Sequence, residues 1–183
     1  MTGVQTCALP ICIFFETLLA LCKTSRNLPR HMLFELTESA VITRVAEVNG
    51  RLQALRAAGF KICLDDFGAG ANSFHYLRSF EVDFVKIDGA FGAAASANPR
   101  DARLLRSITE FCRETGIATI GENVESEAQA AEFERLGLTH GQGYHFGRPT
   151  AHPQATAPLD QVVVKPPGIR PNVKRRGVVT TWG

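Results

Sequence analysis

Short apolar segments of strand length alternate with amphipathic helical segments along this chain. Steps of three and four residues, which mark one face of a helix, separate the apolar side chains Val41, Val45, Val48, Leu52 and Leu55. Gly59 is placed to end this helix, since glycine readily adopts the left-handed turn found there. The segment Phe60–Leu64 that follows predicts a buried strand.

The same order of helix, glycine and strand returns further along. Asp101 is placed to cap a second helix. The apolar face predicted for that helix consists of Leu104, Leu105, Ile108, Phe111 and Cys112. Gly116 closes it, and the strand Ile117–Ile120 comes next. A repeat of this kind predicts parallel strand–helix–strand units.

The remaining elements complete a set of five strands. Met32–Leu36 and Val82–Ile87 are strand candidates, and a third helix near Ser126–Leu136 ends at Gly137 and leads into a last strand. An eight-stranded (β/α) barrel needs ~250 residues. With 183 residues, this chain has room for about five of its units.

Polar side chains gather where the predicted strands end. They are Glu35, Asp65, Asp66, Lys86, Glu122 and Gln142. Because the carboxyl ends of parallel strands share one face of a barrel, we expect these side chains to meet there. Clustered carboxylates repel one another unless a positive charge lies among them, and oxygen ligands favour Mg²⁺ or Mn²⁺. The pattern therefore predicts a divalent-metal site.

Five runs in this sequence resemble the EAL-domain cyclic di-GMP phosphodiesterases, in order and in approximate spacing. They are Glu35–Ser39, Asp65–Gly70, Val82–Asp88, Glu122–Glu125 and Gln142–Tyr144. The resemblance covers about residues 13–150 and implies a partial EAL domain over residues 12–150. It implies an α/β fold, a truncated TIM-like (β/α) barrel that retains about five C-terminal strand–helix units.

The resemblance also implies roles for the clustered residues. Glu35, Asp65, Asp66 and Glu122 would be metal ligands for two Mg²⁺ or Mn²⁺ ions, and Lys86 and Glu122 would be catalytic. Glu38, Asp88, Glu125 and Gln142 would contact the substrate or support the ligands. The implied reaction is hydrolysis of cyclic di-GMP to the linear dinucleotide pGpG.

Several features depart from the family pattern. Asn123 stands where a glycine is frequent, and the loop at Gly68–Ser73 is a variant that keeps its glycines. The Glu-Ala-Leu motif that names the family and an asparagine ligand have no counterpart in the sequence. We therefore expect this chain to be inactive as it stands and its parent protein to be the phosphodiesterase. The alternative is a non-catalytic module that binds cyclic di-GMP or acts as a scaffold.

The two ends of the chain differ from the middle. Residues 1–11 match the translation of a sequencing-adapter oligonucleotide, so we expect them to be an artefact joined to a truncated gene. Residues 151–183 are rich in proline and carry a net charge of +4, against −2 for residues 1–150, from the positions of the charged residues. This basic tail is expected to be disordered.

The charge and the apolar pattern of the chain also predict its location and its partners. The overall charge of +2 gives no case for DNA or RNA binding. An apolar stretch from Ala8 to Cys22 is interrupted by Glu16 and lacks a preceding basic residue, which excludes a signal peptide. We expect a cytoplasmic protein without a membrane segment in this part, although the parent could be tethered through other domains. The Asp66–Phe74 loop, which the resemblance links to Glu38 and to dimer contacts, is a candidate homodimer surface.

Overall fold

The structure is a computed structural model that describes residues 15–21, 27–37, 42 and 44–148. Four of the expectations lie outside these residues: the adapter origin of residues 1–11, the role of Glu38, the place of Val41 in the first predicted helix and the disorder of residues 151–183. None of the described helices is both long enough and apolar enough to span a membrane.

Strands and helices alternate through the described part of the chain. Helix α1 includes residues 15–21, and a short 3-10 helix spans Leu28–His31. The strands are β1 (Leu33–Thr37), β2 (Lys61–Phe67), β3 (Phe84–Ile87), β4 (Ala118–Gly121) and β5 (His140–Gly141). The helices between them are α2 (Val45–Ala57), α3 (Ser73–Ser79), α4 (Gly89–Ala97), α5 (Pro99–Glu114) and α6 (Glu127–Arg135).

The five strands form one parallel sheet in the order β1-β2-β3-β4-β5. This order confirms the predicted α/β fold of consecutive strand–helix units. The strands β3 and β4 are buried along their whole length, as expected for inner strands of a parallel sheet. One apolar cluster packs between the sheet and the helices and includes Leu52, Leu105, Ile108 and Phe133. A smaller cluster of Cys63, Phe84, Ala118 and Ile120 lies in the alternate positions of the strands.

The strand β2 is longer and less regular than the sequence suggested. The expected end at Leu64 is wrong, because the strand continues to Phe67. Its pairing with β3 runs Leu64↔Val85 and then Phe67↔Ile87, so that Asp65 and Asp66 together oppose the single residue Lys86. This extra residue is a β-bulge, which re-aims side chains locally.

The start and the exposed face of α5 also differ from the prediction. Asn98, rather than Asp101, caps the helix and accepts a hydrogen bond from the Arg100 amide, while Pro99 occupies the first turn. The helix therefore begins before Asp101. The predicted apolar face holds at Leu105, Ile108 and Cys112, which are buried, whereas Leu104 and Phe111 lie at the surface. The helical period therefore predicted the position of the buried face correctly but made that face too wide.

Candidate metal and catalytic site

Lys86 lies at the centre of the polar cluster. It belongs to the fully buried strand β3, and its side chain is 6% exposed. Its Nζ atom lies 2.8 Å from Asp65 Oδ1, 2.7 Å from Glu122 Oε1 and 3.5 Å from Glu35 Oε1. The structure thus brings one ammonium group and three of the predicted carboxylates together from four strands or strand ends.

The parallel sheet explains how these residues meet. Glu35 of β1 pairs with Cys63 of β2, two residues before Asp65. Glu122 directly follows β4, and its amide donates a hydrogen bond to the Ile87 carbonyl at 3.2 Å, which continues the pairing of β3 with β4 past the last strand residue. The side chains therefore project from neighbouring strand ends, as the sequence pattern predicted.

Burial and charge act against each other at these groups. Burial alone would lower the pKa of Lys86, but its hydrogen bonds to Asp65 and Glu122 and the nearby charge of Glu35 raise that pKa above its ordinary value. Burial raises the pKa of Glu35 and of Glu122, and the attraction of Lys86 only partly offsets this rise. The site is thus a partly dehydrated acidic cluster that favours a nearby positive charge.

Three carboxylates of the cluster lie close enough to share an ion. Ligand oxygens of Asp65, Asp66 and Glu122 all lie within 4.8 Å of one another. Adjacent strand residues normally point to opposite faces, and the sequence argument allowed both aspartates to reach one site only at a strand end. The strand does not end there. Instead, the bulge and a left-handed backbone at Asp66, with φ of 56°, turn both side chains toward the site.

This donor set fits a hard divalent cation. Carboxylate oxygens are the ligands that Mg²⁺ and Mn²⁺ prefer. Glu35, also predicted as a ligand, is not part of the group of mutually close oxygens, and it contacts the cluster through Lys86.

An open cleft of about 360 Å³ adjoins the cluster. Its lining consists of Glu122, Asn123, Glu125, Gln142, Gly143 and Tyr144. The predicted residues Glu125 and Gln142 thus lie beside Glu122. The other predicted supporting acid, Asp88, caps α4 by accepting hydrogen bonds from the amides of Ala90 and Phe91.

Three residues of the cleft were not predicted to be part of the site: Asn123, Gly143 and Tyr144. Tyr144 is 55% exposed, and the guanidinium of Arg148 stacks 4.4 Å from its ring centre. Asn123 has a left-handed backbone, with φ of 55°. The signal for Asn123 was present in the sequence, because a position where glycine is frequent often needs a positive φ, which asparagine tolerates.

Comparison with known proteins identifies a family over most of the chain. The family model described as "EAL domain" matches residues 5–149. "Cyclic di-GMP phosphodiesterase PdeB" of Shewanella oneidensis is 40% identical over 116 residues, which are 63% of this chain and 14% of PdeB. This chain therefore spans only a small part of that relative.

Solved structures show the same architecture. An EAL domain protein from Listeria monocytogenes is 29% identical with a TM-score of 0.67, and the match covers 74% of this chain and 54% of that one. BlrP1 from Klebsiella pneumoniae, in a manganese and cyclic di-GMP complex, is 30% identical with a TM-score of 0.63, covering 76% of this chain and 34% of that one. These neighbours have TIM-barrel-like domains, and the match to part of each is consistent with the five barrel units expected here. A family match over most of the sequence, carried by a fold that brings the acidic strand ends together, shows that this chain belongs to the EAL domain family.

Proposed function

We propose that this chain is part of a metal-dependent phosphodiesterase that hydrolyses cyclic di-GMP to pGpG. The observation that carries the proposal is the cluster of Asp65, Asp66 and Glu122 oxygens beside the Lys86 ammonium. The names of the relatives support the substrate, since PdeB is called a cyclic di-GMP phosphodiesterase and BlrP1 was solved with manganese and cyclic di-GMP.

The metal ligands proposed are Asp65, Asp66 and Glu122, with Glu35 added from the neighbouring strand. Bound Mg²⁺ or Mn²⁺, as a pair in the complete domain, would lower the pKa of the attacking water and neutralise charge on the phosphodiester. The carboxylates of this chain supply the negative charge that holds such ions in a partly dehydrated site.

Lys86 and Glu122 are the proposed catalytic residues. Lys86, fixed by Asp65 and Glu122, places a buried positive charge where an anionic phosphodiester and its attacking water would approach. The Glu122 carboxylate, 2.7 Å from Lys86 Nζ, is proposed to position the attacking water. Glu125 and Gln142 are proposed to contact the substrate from the adjoining cleft. Glu38 and Asp88 are proposed to support the loops around it.

The proposal also covers the cellular location of the protein and its dimer contacts. We place it in the cytoplasm, where a nucleotide second messenger would be available, and we assign dimer contacts of the parent to the Asp66–Phe74 loop. Phe74 supports the proposed dimer surface because it is 59% exposed at the start of α3. The loop before it is held by a hydrogen bond from the Gly68 amide to Ser73 Oγ.

The test is hydrolysis by the full-length parent protein. Cyclic di-GMP would be incubated with Mn²⁺, with Mg²⁺ or with a chelator, and the products separated by chromatography. We expect pGpG to form only when metal is present. The variants Asp65→Asn and Glu122→Gln should lose this activity. The control variant Glu134→Gln, which changes an exposed residue of α6, should keep it. Binding of cyclic di-GMP without metal-dependent product would contradict the proposal and favour the scaffold alternative.

A further inference from the structure

Asn123 contacts the first residue of α4, across the loop that carries Glu122. A Cβ atom added to Gly89 would lie 2.9 Å from Asn123 Cγ and 3.0 Å from Asn123 Cβ, and closer still to its amide nitrogen. Real Cβ atoms do not approach this closely, and the Asn123 Cβ cannot move without its backbone. Gly89 has no positive φ, so this close approach is the feature that requires a glycine there.

Both sides of this contact are fixed. On one side, Gly89 follows Asp88, whose carboxylate accepts hydrogen bonds from the Ala90 and Phe91 amides and so holds the first turn of α4. On the other side, Asn123 lies between two residues whose amides bond to different neighbours. The Glu122 amide donates to the Ile87 carbonyl at 3.2 Å, and the Val124 amide donates to the Gln142 carbonyl at 3.0 Å.

The left-handed turn at Asn123 redirects the chain between these two neighbours. A glycine would supply the same backbone conformation without a side chain. Asparagine also tolerates it, and it adds an amide group that fills the space over Gly89. The contact therefore joins the loop after β4, which bears Glu122, to the start of α4, which follows directly after β3, the strand that bears Lys86.

We propose that Asn123 and Gly89 are a positioning pair that holds Glu122 against Lys86 and toward the Asp65–Asp66 carboxylates. Only the part of this inference that concerns metal binding rests on the proposed function. It assigns to Asn123 a role that acts through Glu122 rather than by touching the reacting atoms.

The test is a double-mutant cycle on the 183-residue chain, with Gly89→Ala, Asn123→Gly and both together. The first measurement is amide hydrogen exchange at Glu122 and Val124. We expect each single change to speed exchange about ten-fold at both amides, equal to about 1.4 kcal/mol. The double variant should resemble Asn123→Gly alone, because the methyl group added at Gly89 then meets no side chain of residue 123. Amides of Ile62 and Leu64 in β2 should not change.

The second measurement is Mn²⁺ affinity, by electron paramagnetic resonance of the free ion. We expect each single change to weaken binding about ten-fold, the size usual for groups that orient a ligand. Gly50→Ala is the matched control, since a Cβ at Gly50 of α2 meets nothing within 4 Å. It should alter neither measurement.

The outcomes separate this inference from the proposed function. Unchanged exchange in both single variants, or effects that simply add in the double variant, would overturn the positioning pair. Faster exchange with unchanged Mn²⁺ affinity would also overturn it, because the pair would then be structural only. If the wild-type chain binds no Mn²⁺, the metal-dependent function fails, and the exchange cycle alone decides whether the pair holds Glu122 against Lys86.

Discussion

Lys86 illustrates at the scale of one residue how the sheet and the acidic cluster depend on each other. Its ammonium lies within 3.5 Å of carboxylate oxygens from Glu35, Asp65 and Glu122. Replacing it with methionine keeps the length of the side chain but leaves those acids facing one another. Removing one partner of a buried ion pair typically costs about 3–5 kcal/mol.

We therefore expect Lys86→Met to lower the free energy of unfolding by about 3 kcal/mol. Added Mn²⁺ should raise the melting temperature of this variant more than that of the wild type, because a cation can take over the role of the ammonium. Thermal denaturation with and without Mn²⁺ checks this. Arg103→Met, a change of the same kind at an exposed position of α5, is the control. Equal melting curves for the two variants would contradict the prediction.

The backbone at Asp66 allows a test that does not depend on its charge. Asp66→Gly and Asp66→Ala both remove the carboxylate, but alanine is strained at a φ of 56° and glycine is not. We expect the alanine variant to be less stable than the glycine variant by about 1 kcal/mol. Urea denaturation measures the difference. At Asp101, in the first turn of α5, the order should reverse, since alanine favours a helix by about 1 kcal/mol. An Asp66→Ala variant as stable as Asp66→Gly would disprove the strained backbone at this position.

Among the elements, the strand–helix alternation was predictable because its signals are local. Glycines such as Gly59 and Gly116 end helices at positive φ, and the apolar strands that follow them are buried. The bulge in β2 was not predictable, because it depends on which residues of β3 lie opposite. Helix α4 was also missed, since its sequence of glycine and alanine has no apolar period.

The candidate site was predictable from the same local signals. Contacts between segments that are distant in sequence were again not predictable. Lys86, Asp65 and Glu122 could be placed together because the sequence predicts each of them near the carboxyl end of a parallel strand, and the structure brings them within ion-pair distance. Asp66 reaches the site through the bulge. The contact of Asn123 with Gly89 joins the loop after β4 to the start of α4, and no local sequence pattern encodes a contact between segments so far apart.

Asp83 connects three elements at the other end of β3. Its carboxylate accepts hydrogen bonds from Arg56 of α2 at 3.2 Å, Lys61 of β2 at 3.0 Å and the Ile62 amide at 3.0 Å. Burial raises its pKa, but these hydrogen bonds outweigh that effect and the pKa of Asp83 is lowered. Ionised Asp83 therefore stabilises the fold above the unfolded pKa of about 3.9. That contribution is lost as the pH falls through the lower folded pKa.

We expect Asp83→Asn to cost about 1–3 kcal/mol at pH 7, because Arg56, Lys61 and the Ile62 amide lose a charged acceptor. The gap between the melting temperatures of variant and wild type should narrow steadily as the pH falls below about 3.9. Melting curves between pH 3 and pH 7 give this comparison. A gap that stays constant over the range would show that the charge of Asp83 does not matter.

At the scale of the whole molecule, the chain corresponds to only part of the length of the relatives it matches. It spans 54% of the Listeria monocytogenes EAL domain protein and 14% of PdeB. Asp65, Asp66 and Glu122 lie close together in this part, and the main apolar cluster packs the helices against its five strands. The ligands that the family resemblance places in a Glu-Ala-Leu motif and on a further strand have no counterpart in the sequence.

Metal binding and catalysis should therefore separate in this chain. We expect the Asp65, Asp66 and Glu122 carboxylates to attract Mn²⁺, but hydrolysis of a phosphodiester also needs the remaining ligands to hold the ions and the substrate in line. We expect the purified 183-residue chain to turn over cyclic di-GMP far more slowly than about 1 per second, a rate typical of enzymes. Chromatography of pGpG formed with excess Mn²⁺ measures this, with the full-length parent protein as the positive control. Turnover of the isolated chain at a rate near that of the parent would show that five strands suffice, and that the Glu-Ala-Leu motif and the asparagine are dispensable for the chemistry.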